Sequence, residues 1–578
     1  MKHITHTHTH THRHLLAPIA LPALPALIAL LALAPLPAFS APAAPHLQKT
    51  GAATQLIVDG SPYLILGGEL HNSSSTSRDY MAPHWKRLAD ANLNTVLAAV
   101  PWDVIEPAEG TYDFTMVDDL LAGARAVNLR LVLLWFGSWK NGLSHYAPAW
   151  VKADTARFPR ALTTTGTPEI LSVFSDANRD ADARAFAALM RHVREKDSGQ
   201  NTVIMVQVEN EVGLHGDSRD RSAIATAALA NPVPAGLITY LQKNRDTLAT
   251  PLRNLWRDAG FKTAGSWTDI LGASPAAEEA FMAWHYARYI DAVTAAGKKE
   301  YDLPMFVNAW IVQPSDEWPG EYPAGGPQAH VLDLWRAAAP HVDLFTPDVY
   351  LPAFAKICAE YARPGDGFFV PESFAGEAGA ANALTAIGRF RGLGYSPFGI
   401  ETRLTDPIAK DPLARVYALL RQLAPRILEQ QTKPAGEGIM AISLDPQNPD
   451  ERFTLGGYDM RAALFTGWGS RGTPPERAYG LIIAAGPGEF YAIGANLQIT
   501  FATKDASTDT IGLAAVEEGV FDASGKWTRG RALNGDEIML SYDFPVQLSQ
   551  RQTGTGLRFN STAPSIMRVK LYRYPQAK

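Results

Sequence analysis

The chain has 578 residues, 46% of them hydrophobic and 19% charged, which leaves room for roughly two to four domains and a large core. A formal charge of −6 with a pI near 6.2 removes the electrostatic footing for nucleic-acid binding. One cysteine, Cys358, excludes an intramolecular disulfide, and its setting within Ala355-Lys356-Ile357-Cys358-Ala359 reads as helix, not as a nucleophile. The chain opens on a weakly basic segment with a His-Thr repeat, followed by an apolar stretch over 15–39 and small residues around 38–43. Prolines at 18, 22, 25, 35 and 37 interrupt that stretch. Residues 1–43 therefore read as a cleaved secretory signal peptide and not as a stable membrane anchor, so a periplasmic or extracellular location is expected.

Short apolar runs follow over 64–67, 95–101, 130–136, 203–209, 305–309, 344–349, 368–371 and 395–400, with 262–267 as a ninth candidate. Helical periodicity separates many of them, over 80–91, 116–127, 183–195, 277–296 and 380–391. This alternation predicts a (β/α)8 barrel over 50–430. A last helix is expected over 411–430, and Pro434 to Glu437 reads as a linker. Beyond it come short alternating runs over 439–444, 480–485, 490–493, 498–501, 537–542 and 566–572, divided by turn signals such as Pro487-Gly488 and Asn534-Gly535. They predict an all-β, sandwich-like domain over 438–578 that either supports the barrel or binds glycan.

Two acidic residues close barrel-type strands. Glu211 ends Val203-Ile204-Met205-Val206-Gln207-Val208-Glu209-Asn210-Glu211, and Glu372 ends Phe368-Phe369-Val370-Pro371-Glu372. Barrel enzymes project their chemistry from such strand ends. A strand-end glutamate taken alone is also a common ion-pair or capping residue. A converging pair is the minimum equipment for glycoside hydrolysis: one carboxylic acid protonates the leaving oxygen, while a second carboxylate attacks the anomeric carbon or activates water. Asn210 is placed to orient a sugar 2-hydroxyl.

The run Gln207-Val208-Glu209-Asn210-Glu211-Val212-Gly213 resembles the acid/base motif of glycoside hydrolase family 35, the retaining β-galactosidases. Gly67-Gly68-Glu69-Leu70-His71 is similar to that family's first-strand segment, and the block from Asn94 through Trp102 to Phe114 is similar to its second. The resemblance implies Glu211 as acid/base, Asn210 as the 2-hydroxyl contact, Glu372 as nucleophile and Glu106 as a substrate contact. It covers about residues 50–405 and is stronger in the first half. It also implies an exo-acting enzyme that removes terminal β-galactose from oligosaccharides, with xyloglucan side chains as one source. Three departures resemble a divergent bacterial branch and the neighbouring family 42: Asp103-Val104-Ile105-Glu106, Asn72 after His71, and Pro371-Glu372-Ser373-Phe374. The two roles predict a carboxyl separation of about 5–5.5 Å and retention of anomeric configuration.

Further strand ends supply candidate substrate contacts. Tyr350 either bonds the nucleophile or packs in the core; Asn308 and Trp310 end a neighbouring strand, where Trp310 either stacks on a sugar or packs. Trp102, Trp135 and Trp139 carry the same two readings. Glu401 follows the last strand and either fixes hydroxyls or pairs with Arg403; Glu69 and His71 follow the first. No third and fourth ligand accompany Glu69 and His71, so neither a metal nor any other cofactor is expected. No nucleotide-binding glycine motif stands where a βα unit needs one.

Overall fold

A computed structural model describes residues 43–465, 475–504, 509–538, 555–559 and 564–575. The expected signal peptide lies almost wholly outside them. Among the described residues no helix is long and apolar enough to cross a membrane.

The entry is a three-stranded antiparallel sheet, β1 (His46–Thr50), β2 (Ala53–Val58) and β3 (Ser61–Tyr63), turned at Asp59-Gly60 with both residues at positive φ. The barrel begins with β4 (Ile65–Leu66). Then come β5 (Thr95–Pro101), β6 (Arg130–Lys140), β7 (Val203–Asn210), β8 (Met305–Trp310) and β9 (Leu344–Asp348), which form one parallel sheet in sequence order. The next stave, 368–373, is irregular: Val349 N–H donates to the Glu372 carbonyl on one side, and Leu393, Ser396 and Phe398 N–H donate to the Phe368, Val370 and Ser373 carbonyls on the other. The last, β10 (Gly394–Tyr395), pairs in parallel with β4, and Glu69, just beyond β4, bridges to Leu97 of β5, which closes the ring. The segment 262–267 is not a strand. It is a loop leading into the short helix Trp267–Leu271, where Ser266 accepts from the Asp269 amide in a capping box.

The closed ring explains why its strands read as continuous apolar runs. Leu97, Ala99, Val132, Leu134, Phe136, Phe306 and Phe369 fill the interior, and Leu56 and Val58 of β2 pack into the same cluster. The alternate residues Val96, Ala98, Val100, Leu131, Leu133 and Trp135 face the surrounding helices. Both sets are buried, so a two-residue period is invisible in hydrophobicity alone. The helices fall where periodicity predicts them, including Arg78–Asp90, Thr115–Ala126, Asp176–Asp197, Pro275–Glu300, Gly376–Arg389 and Pro412–Gln431.

After Gln431 the architecture changes to antiparallel. One sheet runs in the order Ile439–Leu444, Ala478–Gly486, Glu489–Ala495, Ile566–Pro575, Asp509–Phe521, Trp527–Ala532. The other runs Asp450–Leu455, Tyr458–Leu464, Leu497–Thr503, Thr555–Phe559. Ile442, Ile482, Phe490 and Val569 from the first meet Met460, Ile499, Phe501 and Leu557 from the second, making a sandwich core. The expected strand over 537–542 does not begin as one, since Gly535–Glu537 is a 3-10 turn and the residues after 538 lie outside the described set.

The first sheet is buried on its outer face as well. Leu481, Ile483, Tyr491 and Ile493 join the barrel's own core, against the helices Gly376–Arg389 and Pro412–Gln431. Gly388 makes this close approach possible: a Cβ there would lie 2.3 Å from Leu481 Cδ1 and 2.9 Å from Ala441 Cβ. Gly388→Leu should therefore destabilise the protein by about 3 kcal/mol despite the better helix propensity of leucine, because overpacking dominates. Urea denaturation checks this, and an unchanged midpoint would refute the packing argument.

Candidate active site

The strand β7 ends in a conformation that its residues do not favour. Glu209 and Glu211 have φ of 63° and 46°, left-handed values that cost about 1–3 kcal/mol each for non-glycine residues unless neighbours hold them. The neighbours are specific. The Glu209 carboxylate accepts the backbone amides of Trp139 at 2.7 Å and Ser138 at 3.1 Å. Gly137 leaves the space for this, since a Cβ there would sit 2.6 Å from Glu209 Oε1. Asp182, from the helix Asp176–Asp197, lies against Glu209 and accepts from Trp135 Nε1 at 2.9 Å and from Ser138 Oγ at 2.6 Å. Burial first, then the charge of Asp182, raises the Glu209 pKa well above the carboxylate range. Glu209 therefore holds the proton, and Asp182, with more donors aimed at it, keeps the charge.

The kink delivers Asn210 and Glu211 to the mouth of the barrel. The Glu211 backbone N–H donates to Asn308 Oδ1 at 2.9 Å, and Asn308 Nδ2 donates to Asp348 Oδ2 at 2.6 Å. Asp348 is the last residue of β9, and Glu372 arrives from the irregular stave beside it. One carboxylate oxygen from each of Glu211, Asp348 and Glu372 lies within 4.8 Å of the others, and all three side chains are buried. Glu69, also buried, and Lys140, the last residue of β6, complete the charge cluster. Lys140 Nζ lies 5.2 Å from the centroid of the Phe136 ring.

Crowding sets the protonation pattern. Burial, followed by the Glu372 charge, raises Glu211 to about 7, while Lys140 and Asp348 pull it down. The same two causes in the same order lift Glu69 and Asp348 well above their usual range. For Lys140, burial favours the neutral amine, but Glu372, Glu211, Glu69 and Asp348 outweigh it and its pKa rises. The site is thus one ammonium among carboxyl groups of which several stay protonated at neutral pH. Tyr350 stands beside Glu372; burial, then the charge of Glu372, holds its phenol protonated.

The predicted residues divide into two groups. Brought to the cluster are Glu211, Glu372, Asn210, Glu69 and Tyr350. Asn210 is buried with both amide atoms unpartnered, as is Glu69 Oε1, and such groups require a ligand or another explanation. Glu401 sits at the edge: its Oε1 accepts from Ser74 Oγ at 2.6 Å and from the His71 amide at 3.0 Å, leaving Oε2 unpartnered. Trp310 is half-buried and edge-on to His215.

Others are placed differently from expectation. Trp102 is fully buried between Trp135 and Trp150, and its indole N–H donates to Glu106 Oε2 at 2.8 Å. The other Glu106 oxygen accepts the Gly110 amide, so Glu106 helps to fix its own loop. Asn308 clamps the Glu211 backbone to Asp348 through its two amide atoms. The His71 ring turns to Thr402 Oγ1 at 2.8 Å and packs edge-on against Phe398.

Asp348 and Lys140 were not among the predicted residues. The signal existed: each is a charged residue closing an apolar strand, as Glu211 is. Trp139 is buried with its indole nitrogen unpartnered and joins this group. The oxygens of Glu211, Asp348 and Glu372 form the only candidate metal set among the described residues. An all-carboxylate set suits a hard cation, but Lys140 already supplies the positive charge at this spot.

The family model of glycoside hydrolase family 42, described as β-galactosidase, matches residues 72–290. This overturns the resemblance to family 35. The Asn-Glu strand end that carried it belongs to barrel chemistry common to neighbouring families, and the departures around Glu106, Asn72 and Glu372 mark the difference. A domain of unknown function (DUF5597) matches residues 413–544, which span the last barrel helix and much of the sandwich. A β-galactosidase from Xanthomonas manihotis is 30% identical over 176 residues, covering 28% of this chain and 26% of that protein. Beta-galactosidase 17 of Arabidopsis thaliana is 30% identical over 172 residues, covering 28% and 22%. The chain thus spans about a quarter of the length of these relatives. Among solved structures, a β-galactosidase from Marinomonas aligns with a TM-score of 0.42 at 13% identity, covering 64% of this chain and 62% of that one.

Glu372→Gln keeps the side chain's shape and removes its charge. Glu211 should then titrate below about 7, moving towards the ordinary value of about 4.3. The melting temperature at pH 7 should rise as like-charge repulsion is relieved. NMR titration of labelled glutamate side chains and calorimetry test this; an unmoved Glu211 would refute the electrostatic account.

Proposed function

We propose that this protein is a retaining exo-β-galactosidase, exported from the cell, that cleaves terminal β-linked galactose from oligosaccharides by double displacement. The observation that carries the reading is the approach of the Glu211 and Glu372 carboxylates to within 4.8 Å. Retaining enzymes hold their carboxyl groups about 5–5.5 Å apart, whereas inverting ones leave about 6.5–9.5 Å for a water molecule. The match to the β-galactosidase family over 72–290 and the names of the similar proteins support galactose as the sugar.

In the first step Glu372 attacks the anomeric carbon while the protonated Glu211 gives its proton to the departing glycosidic oxygen. In the second, Glu211 takes a proton from water, the water oxygen attacks the anomeric carbon, and Glu372 leaves. A Glu211 pKa near 7 matches both duties, since an acid/base works best close to the operating pH. Tyr350 donates to Glu372, and the free Asn210 amide receives the sugar 2-hydroxyl. Lys140 offsets the negative charge concentrated around the reacting carbon.

Three outcomes follow from assays on nitrophenyl β-galactoside, its glucoside and xyloside counterparts, and a galactosylated xyloglucan oligosaccharide. Galactoside turnover should lead the panel and be abolished in Glu372→Ala. Preference for another glycoside would move the sugar while keeping the chemistry, and binding without any turnover would replace an enzyme with a lectin-like protein. Glu211→Gln should cost about 10²–10⁴-fold on the oligosaccharide, whose leaving group needs a proton, and much less on the nitrophenyl substrate.

The pH profile provides a separate check. The competent form has Glu211 protonated, so kcat/KM should fall as pH rises through about 7. Lys140 lowers the Glu211 pKa, so Lys140→Met should move that alkaline limb upward. A limb that stays in place would remove Lys140 from the electrostatic argument.

A further inference from the structure

Beside β8, on the rim of the same barrel face, lies a cleft of about 490 Å³ that the chemistry above does not use. That volume falls in the range of small-ligand sites, about 300–1,000 Å³. Its floor is Glu279 of the helix Pro275–Glu300, only 1% exposed. One Glu279 oxygen is fixed by His330 Nε2 at 2.8 Å and the Tyr322 hydroxyl at 3.0 Å, while the other has no partner. One wall is Trp318, a large aromatic left 42% exposed on a loop held by Glu321, which accepts the amides of Glu317 and Trp318. Ile311 and Ile357 supply apolar surface.

These features point to a ligand class. A flat, exposed indole offers a stacking face, and a buried carboxylate with one oxygen fixed by two neighbours holds its other oxygen as an oriented acceptor for a hydroxyl. Asp316, Glu317 and Glu360 also line the cleft, with His330 the only basic side chain among the lining residues, which disfavours phosphates and carboxylates. A neutral sugar ring meets all three conditions.

The cleft is also tied to the acid/base strand. Leu214, three residues beyond Glu211, exchanges two backbone hydrogen bonds of 2.9 Å with Ala324, and the Gly216 amide donates to the Gly320 carbonyl at 2.9 Å. The loop that carries Trp318 and the loop that follows Glu211 are therefore stitched together. Ile311 is the first residue after β8, whose Asn308 holds the Glu211 amide. Glu211 protonates the oxygen that joins sugar to leaving group, so the leaving group belongs on this side.

We propose that this cleft is the leaving-group subsite, taking one or two neutral sugar rings of the oligosaccharide from which the terminal residue is cut. The inference rests on the glycosidase reading, and the test separates the two. Wild type, Trp318→Ala and Glu279→Gln are compared on a galactose-terminated tetrasaccharide and on nitrophenyl β-galactoside. The ratio of kcat/KM for the tetrasaccharide to that for the nitrophenyl substrate should fall about tenfold in Trp318→Ala, through KM, and in the same direction in Glu279→Gln. An unchanged ratio in both overturns the proposal. Calorimetric titration of the same tetrasaccharide into the Glu372→Ala protein, with and without Trp318→Ala, gives a readout independent of turnover. A tenfold loss of affinity supports the cleft even where no glycoside is hydrolysed, an outcome that would sink only the enzymatic reading. Equal affinity, or displacement of the tetrasaccharide by a tetramethylammonium ion, overturns a neutral-sugar site.

Discussion

Everything at the mouth of this barrel depends on keeping several carboxyl groups close together out of water. Two unit charges 4 Å apart interact by about 4 kcal/mol at an effective dielectric of 20, and burial adds a penalty for each ion. Glu69, Glu211, Asp348 and Glu372 meet this constraint in two ways. Some hold protons at neutral pH, as the raised values of Glu69, Asp348 and Glu211 indicate, and Lys140 contributes one buried positive charge. In the proposed mechanism this arrangement sets the acid, Glu211, apart from the nucleophile, Glu372. Burial first and then the Glu372 charge raise the Glu211 pKa, so forming a glycosyl bond to Glu372 would lower it and ready Glu211 to act as base.

Holding such a cluster takes rigid positioning, and the closed barrel provides it by giving each group a different strand. The end of β7 shows how far this goes. Two glutamates in left-handed conformation flank Asn210, and the strain is held by a second carboxyl pair, Glu209 with Asp182, buried beneath the site. That pair fixes the turn through the amides of Ser138 and Trp139, and Trp139 immediately precedes Lys140. The same contact thus positions Glu211 on one strand and the Lys140 counter-charge on the next. Asn308 does comparable work on the other flank, joining the Glu211 backbone to Asp348 through its two amide atoms.

Much of this was legible in the sequence, for reasons that vary with the element. The barrel could be read because its strands are buried on both faces and its helices on one, so that the two patterns differ in period. The irregular stave 368–373 could be read because Pro371 and the apolar run before it are local. Glu211 and Glu372 stood out as charges at the ends of apolar runs. Asp348 and Lys140 send the same signal, but a lysine ending a strand reads as solvent-facing until the fold shows what surrounds it, and Asp348 shares its strand end with Tyr350. Glu106 and Asn308 show what the sequence does not carry: their hydrogen bonds to Trp102, Gly110, Glu211 and Asp348 are partnerships that only the folded chain reveals. The family assignment erred for a related reason: a motif at one strand end reports the chemistry of that end, not the ancestry of the whole barrel.

The sandwich bears on the site through packing. The strands Ile439–Leu444, Ala478–Gly486 and Glu489–Ala495 of its first sheet are largely buried on both faces, one against the second sheet and the other against the helices Gly376–Arg389 and Pro412–Gln431. Those helices follow the staves that carry Glu372 and Glu401. The contact is specific as well as apolar: Arg426 lies over the Phe521 ring at 3.7 Å and donates to the Gly525 carbonyl, and Gln422 accepts the Phe521 amide. The three strands are thereby committed to packing on both faces. The physical effect is to brace the least regular part of the barrel, the stave that presents Glu372 to a crowded acidic site.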